Sequence, residues 1–165
     1  MSDISGCSKS TDGSSLTIIG IGNSQPVTLS MNPSTGAVDK YINLEYYLTS
    51  ATVVPVYKTF GAAFLDNKDV YDGKSYYYSA FLMDNKIELV RVLNSDNPLV
   101  DWSQEFYDFS STESVDFYRL KEPQFLVNDG TDNKSFFLVG RYQGRGAVQK
   151  FTKKNGRLLF WMRFD

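Results

Sequence analysis

Asp101 and Glu105 flank Trp102, and paired carboxylates beside an aromatic ring are the working parts of a sugar-cleaving site. On a β-strand, residues four apart share a face at about 13 Å from one another by the rise per residue. That exceeds the carboxylate separation such chemistry uses, so solvated strand charges account for the pair better. A hydrolase using Asp or Glu is accordingly the weakest functional reading. Two segments, Asp66-Asn67-Lys68-Asp69-Val70-Tyr71-Asp72-Gly73 and Asn128-Asp129-Gly130-Thr131-Asp132-Asn133, offer closely spaced oxygen ligands of the kind calcium prefers. They lack the terminal glutamate and the spacing of an EF-hand. A tight turn needs the same Asp, Asn and Gly residues, and the turn is the preferred reading. Tyr76-Tyr77-Tyr78, Tyr46-Tyr47 and Trp102 could stack on sugar rings, which makes a carbohydrate-binding protein the main alternative function and a glycan an alternative partner. They fall on strand-like runs, where packing between sheets is the expected use. Asn133-Lys134-Ser135 is an N-glycosylation sequon, relevant in an extracellular setting, whereas Pro33 blocks Asn32-Pro33-Ser34.

What is missing narrows the chemistry further. The chain has no histidine, hence none of the usual general base, metal ligand or pH switch. Cys7 is the single cysteine, so neither an intrachain disulfide nor a thiolate cluster for zinc can form. It reads as a small hydrophobe or a surface thiol. There is no phosphate-binding glycine loop and no nucleophile elbow. No catalytic residue, metal or cofactor is assigned, and the expectation is a protein that is not an enzyme.

Charge points toward protein partners. The net charge of −2 hides an uneven distribution. Residues 134–165 carry Lys134, Arg141, Arg145, Lys150, Lys153, Lys154, Arg157 and Arg163 against Asp165 alone, a net +7, which leaves −9 on residues 1–133. Such polarity suggests contact between an acidic and a basic surface, as in self-association or a larger complex. An acidic chain argues against nucleic acid. No apolar run approaches the roughly 18 residues a membrane-spanning helix needs. Met1-Ser2-Asp3-Ile4-Ser5 has neither the basic nor the apolar region of a secretory signal, although a signal upstream would be compatible with it. The location is otherwise open, with the extracellular space or cell surface slightly favoured.

The elements that must position these residues recur. Thr11-Asp12-Gly13-Ser14-Ser15-Leu16, Tyr71-Asp72-Gly73-Lys74-Ser75-Tyr76 and Thr131-Asp132-Asn133-Lys134-Ser135-Phe136 align at a spacing of 60, each a turn signal leading into an apolar run. Tandem recurrence of this kind implies one supersecondary unit used repeatedly. The first strand of each unit is expected at 15–22, 75–83 and 135–142, the second at 26–31, 86–93 and 146–152, and the third at 37–45, 99–107 and 157–164. A fourth, less regular strand is expected near 52–59 and 114–121. Ile87-Glu88-Leu89-Val90-Arg91-Val92 shows the clearest period-2 alternation. From Tyr41 onward the spacing to the second copy becomes 61, so the middle unit carries one extra residue. With 42% hydrophobic and 15% aromatic residues, and no helical periodicity, the chain reads as all-β.

In the third unit the order of parts is a polar turn, a strand ending in Gly140, a strand reaching Lys150, a turn with Gly156 and a strand bearing Trp161. This order resembles the β-propeller repeat of the SBBP type, found in bacterial and protist surface proteins. The first unit keeps Gly20, Gly36 and Tyr41 but has Ser30 in place of the lysine. The second keeps Trp102 but has Ala80 and Asn97 in place of glycines. The resemblance implies tandem four-stranded antiparallel sheets arranged as propeller-like blades, and it implies no activity. A two-sheet sandwich or an open solenoid is the architectural alternative. The units are bounded as an N-terminal segment 1–14, then 15–74, 75–134 and a partial 135–165, about 2.75 repeats and an incomplete ring. Leu158 to Phe164 is apolar on both faces, which suits an interior strand. Leu158, Phe160, Trp161, Met162 and Phe164, with Arg141 and Arg145, are therefore the expected assembly interface. The expected role is a structural or interaction module, a subunit or segment of a larger assembly, extracellular or filamentous.

Overall fold

The computed structural model describes residues 3–23, 25–44, 57–83, 86–107, 122–142 and 145–164. Among them are twelve strands forming three four-stranded antiparallel sheets, each a meander. Sheet 1 comprises β1 (Asp3–Lys9), β2 (Leu16–Gly22), β3 (Gln25–Met31) and β4 (Val38–Asn43). Sheet 2 comprises β5 (Tyr57–Asp66), β6 (Tyr76–Met83), β7 (Lys86–Leu93) and β8 (Val100–Tyr107). Sheet 3 comprises β9 (Glu122–Asn128), β10 (Ser135–Tyr142), β11 (Arg145–Thr152) and β12 (Leu158–Arg163).

Repeated turns carry the repeated sheets. Gly13, Gly73 and Asn133 all adopt positive φ, at 74°, 73° and 55°. Glycine adopts this backbone without penalty, and asparagine is among the side chains that best tolerate it. In each turn the preceding aspartate accepts the backbone N–H two residues on: Asp12 from Ser14 at 2.9 Å, Asp72 from Lys74 at 3.0 Å, Asp132 from Lys134 at 2.8 Å. This is the Asx turn that the residue types favour. Between the third and fourth strands, the turns close from Asn32 N to Ala37 O and from Thr152 N to Arg157 O. The corresponding bond in sheet 2 runs from Leu93 N to Leu99 O, so the extra residue of the middle unit lies in that turn.

One expectation is corrected. The strand expected to end one unit, near 52–59, is placed later, as β5 over 57–66, and it pairs with β6 as the first strand of the following sheet. Residues 52–56 and 114–121 lie outside the described residues. Sheet 3 therefore has four strands, and the described residues form three four-stranded sheets where about 2.75 repeats were expected. β12, read as a strand that a neighbouring chain should cover, is the edge strand of sheet 3. Its two apolar faces have separate fates. Leu158 packs into the core, while Phe160 and Met162 are exposed.

Sheet 2 is the middle layer, and the first strands β1, β5 and β9 pack against one another. The Ser8 hydroxyl donates to the Ala63 carbonyl and Thr11 N–H donates to Leu65 O, so β1 and β5 run in the same direction. Between sheets 1 and 2 lies an aliphatic-rich cluster that includes Ile19, Ile42, Leu44, Ala63, Leu65, Phe81, Val90 and Val92. Between sheets 2 and 3 lies an aromatic one with Phe64, Tyr76, Tyr78, Phe136 and Phe151 at its centre. All six residues of the alternating segment 87–92 are buried, because sheet 2 is covered on both sides. Facing also departs from the 60-residue repeat. Tyr77 donates to Ser30 of sheet 1, whereas its counterpart Phe137 lies on the face of sheet 3 turned away from sheet 2, beside Phe160.

Candidate functional site

The strongest concentration of polar chemistry joins sheets 2 and 3. Arg91 of β7 is 4% exposed and lies beside Asp69 at 3.3 Å (Nη2 to Oδ2) and Asp101 at 3.4 Å (Nη1 to Oδ2). Its guanidinium carbon sits 3.6 Å from the centre of the Tyr76 ring, a cation–π contact. Its Nη1 also donates to the Lys153 carbonyl at 2.8 Å, and the Trp102 indole N–H donates to the same oxygen at 2.9 Å. Lys153, at the end of β11, sends its ammonium to Asp66 Oδ2 at 2.5 Å, with both side chains almost completely buried. Tyr78 completes the set by donating to Asp69 Oδ2 at 3.3 Å. Gly156 has φ near 67°, and a Cβ there would stand 2.7 Å from the Trp102 ring, so the indole lies directly over this turn.

The local electrostatics follow from this packing. Burial pushes the Tyr76 hydroxyl up to about 12, helped by its hydrogen bond to Asp72. Burial raises Tyr78 further. Beyond the cluster, in the β9–β10 turn, Asp129 is held far below the ordinary carboxylate range by Lys150, whose ammonium is 2.7 Å away, and by the Thr131 backbone N–H. Each cation named here faces a carboxylate, and the Lys153–Asp66 pair joins sheet 3 to sheet 2.

Several residues read as chemical are used in this packing. Tyr76, Tyr77 and Tyr78 are buried, as inter-sheet packing requires. Trp102 is half-buried and nearly parallel to Phe136, with the ring centres 6.4 Å apart. Asp101 pairs with Arg91 across the strand, while the side chain of Glu105 and all of Tyr46 and Tyr47 lie outside the described residues. In the two oxygen-rich loops, Asp69 accepts from Tyr71 N–H and Asp129 from Thr131 N–H, so both loops are built as turns. Asn133 is exposed, and its side-chain oxygen accepts from Asn128 at 2.8 Å. Cys7 is an exposed thiol. Among the described residues, no helix is long and apolar enough to cross a membrane.

The residues expected at an interface divide. Phe160, Met162 and Phe164 are exposed at 43%, 52% and 53%, and they share the outer face of sheet 3 with exposed Phe125 and Val127. Arg141 and Arg145 are also exposed, Trp161 is half-buried, and Leu158 belongs to the inter-sheet core. Lys153, counted by sequence with the basic surface, is 1% exposed and serves inside the molecule. Sequence reasoning missed Arg91, Asp66, Asp69 and Lys153 as a group. The available signal was charge placed within or directly after the apolar runs at 62–66, 87–92 and 147–153. No family model matches this chain, and no curated protein matches it.

Proposed function

We propose that the chain is a non-enzymatic structural or interaction module, its three sheets acting as propeller-type blades within a larger assembly. The SBBP-type resemblance is part of this reading. The side-by-side first strands and the stacking of one sheet on the next support it, since a blade is a four-stranded meander whose inner strand lies beside those of its neighbours. One observation carries it: the outer face of sheet 3 presents Phe125, Val127, Phe160, Met162 and Phe164 to solvent, while the equivalent sheet in the middle position is buried on both faces. A contiguous apolar face of this kind marks a contact surface. The sugar-stacking alternative draws no support from the tyrosine rings, which are packed between the sheets.

Mass measurement tests the proposal. The native protein should sediment above the mass of one chain, and Phe160→Asp with Met162→Asp should return it to a single chain with its β-sheet circular dichroism intact. A dilute native monomer that unfolds cooperatively would overturn the assembly reading.

A further inference from the structure

The stack of sheets has two open ends, and both are apolar. Cross-strand partners share a face of a sheet, so the pairings sort side chains into rows. On sheet 3, Phe125, Val139, Val148 and Met162 form a row that faces away from sheet 2. On sheet 1, Cys7, Ile18, Leu29 and Tyr41 form another. This row also faces away from sheet 2, because Ser8 and Ser30 on the opposite face bond to Ala63 and Tyr77. The outer members of both rows, Cys7, Tyr41, Phe125 and Met162, are exposed, and the four between them are half-buried.

The stack has a direction. Tyr77 of sheet 2 looks back to Ser30 of sheet 1, while Arg91 and Trp102 look forward to the Lys153 carbonyl of sheet 3. Both joints within the chain set the forward face of one sheet on the backward face of the next. Sheet 3 is left with an open forward face and sheet 1 with an open backward face. The first strands also gather about one line. A Cβ on Gly6 of β1 would stand 2.6 Å from the Gly61 carbonyl oxygen of β5, so those backbones touch. Cys7 of β1, Ala62 of β5 and Phe125 of β9 line one small cavity of about 50 Å³. The two apolar rows therefore start side by side, at Cys7 and Phe125, and run outward to Tyr41 and Met162 as the walls of a wedge.

Resting on the assembly reading above, we propose that a second copy of this chain fills the wedge. Sheet 3 of each copy stacks on sheet 1 of the other, repeating twice more the joint that the chain makes within itself. Two copies suffice. Rings of four-stranded sheets close with about 4–8 blades, and one chain brings three, so two chains bring six and a third would overshoot. Head-to-tail contacts close into rings when the rotation allows and otherwise run on as fibres. Sheets gathered about one line by their first strands carry that rotation already.

Sedimentation of the full chain over a concentration series tests this. The native protein should reach two chains and stop. Tyr41→Asp, on the open face of sheet 1, should return it to one chain as fully as Phe160→Asp with Met162→Asp does on sheet 3, with β-sheet circular dichroism retained. Val38→Asp, at a 59% exposed position, is the second probe of the sheet 1 face. Mixed in equal amounts at high concentration, the sheet 1 and sheet 3 variants should re-form a two-chain species, because one intact face remains on each. Alkylation of Cys7 should slow about tenfold or more as the native protein associates, since a covered thiol reacts only from the free fraction. A native protein that stays a monomer, its faces left to another polypeptide or to further sheets, would overturn this proposal and the assembly reading together. An assembly that survives both Tyr41→Asp and Val38→Asp, that grows past two chains, whose variants do not complement, or that leaves Cys7 alkylation unchanged overturns the ring alone.

Discussion

The middle sheet meets its two neighbours by different means. Toward sheet 1 it presents Tyr77, Ser79, Phe81, Val90 and Val92, and the buried hydrogen bonds described there join neutral hydroxyls, Tyr77 to Ser30 at 2.8 Å and Ser79 to Thr28 at 2.9 Å, with one ion pair, Lys40 to exposed Asp96, at the rim. Toward sheet 3 it presents Phe64, Tyr76, Tyr78 and Arg91, and the ion pair that crosses is Lys153 with Asp66, while Arg91, paired with Asp69 of its own sheet, donates to the Lys153 carbonyl. Both interfaces exclude water, but they fail differently. A neutral hydroxyl pair contributes about 1 kcal/mol and tolerates loss. A buried ion pair adds little net stability when intact, yet removing one partner strands a charge in a poor solvent at a cost of about 3–5 kcal/mol. An arrangement of sheets 2 and 3 that parted Lys153 from Asp66 would leave two buried charges unpaired, a penalty that the hydroxyl pairs toward sheet 1 do not impose.

The sharpest way to break this contrast is Asp66→Ala, which leaves the Lys153 ammonium buried without its carboxylate. Urea denaturation should show a loss of about 3–5 kcal/mol, while the double variant Asp66→Leu with Lys153→Met should recover most of it. Equal losses in the single and double variants would mean that packing, not charge, controls the site. Tyr77→Phe probes the neutral interface and should cost about 0.5–1.5 kcal/mol by the same measurement.

The smallest effect is an acid response. Asp129 sits below its unfolded value, so its contribution is present in full above about pH 4 and is lost as pH falls through its folded value. Unfolding followed from pH 5 to pH 2 should show sheet 3 weakening, and Lys150→Met should flatten that dependence. An unchanged acid profile in Lys150→Met would remove the Lys150–Asp129 pair as its cause.

Turn chemistry made much of the fold legible before any coordinates. Asp12-Gly13, Asp72-Gly73 and Asp132-Asn133 are local signals, since an Asx turn with a positive-φ residue depends on a few consecutive residues. The strand positions after these turns followed, as did the extra residue before Leu99. The candidate site was much less legible. Lys153 and Asp66 are 87 residues apart, and nothing local in either segment selects the other. The buried state of Glu88 and Arg91 was hidden for a related reason: alternation reports which residues share a face and is silent on whether a second sheet covers the polar face. The exposure of Phe160 and Met162 was not legible either, because apolarity on both faces of 158–164 does not say which face another sheet of the same chain covers.

By itself the sequence determined three things: an all-β chain, a unit repeated about every 60 residues, and turns placed by Asp, Asn and Gly. These depend on backbone dihedrals and on contacts between near neighbours, which short stretches of chain specify on their own. Only the tertiary structure decided which sheet each strand joins, which face of each sheet is covered, and which charges meet. Tyr77 turning toward sheet 1 while Phe137 turns away from sheet 2 shows the limit, because side chains alternate with a period of two and a one-residue offset between sheets reverses every facing. Long-range packing sets that offset, and with it the buried ion pairs and the exposed apolar face of sheet 3.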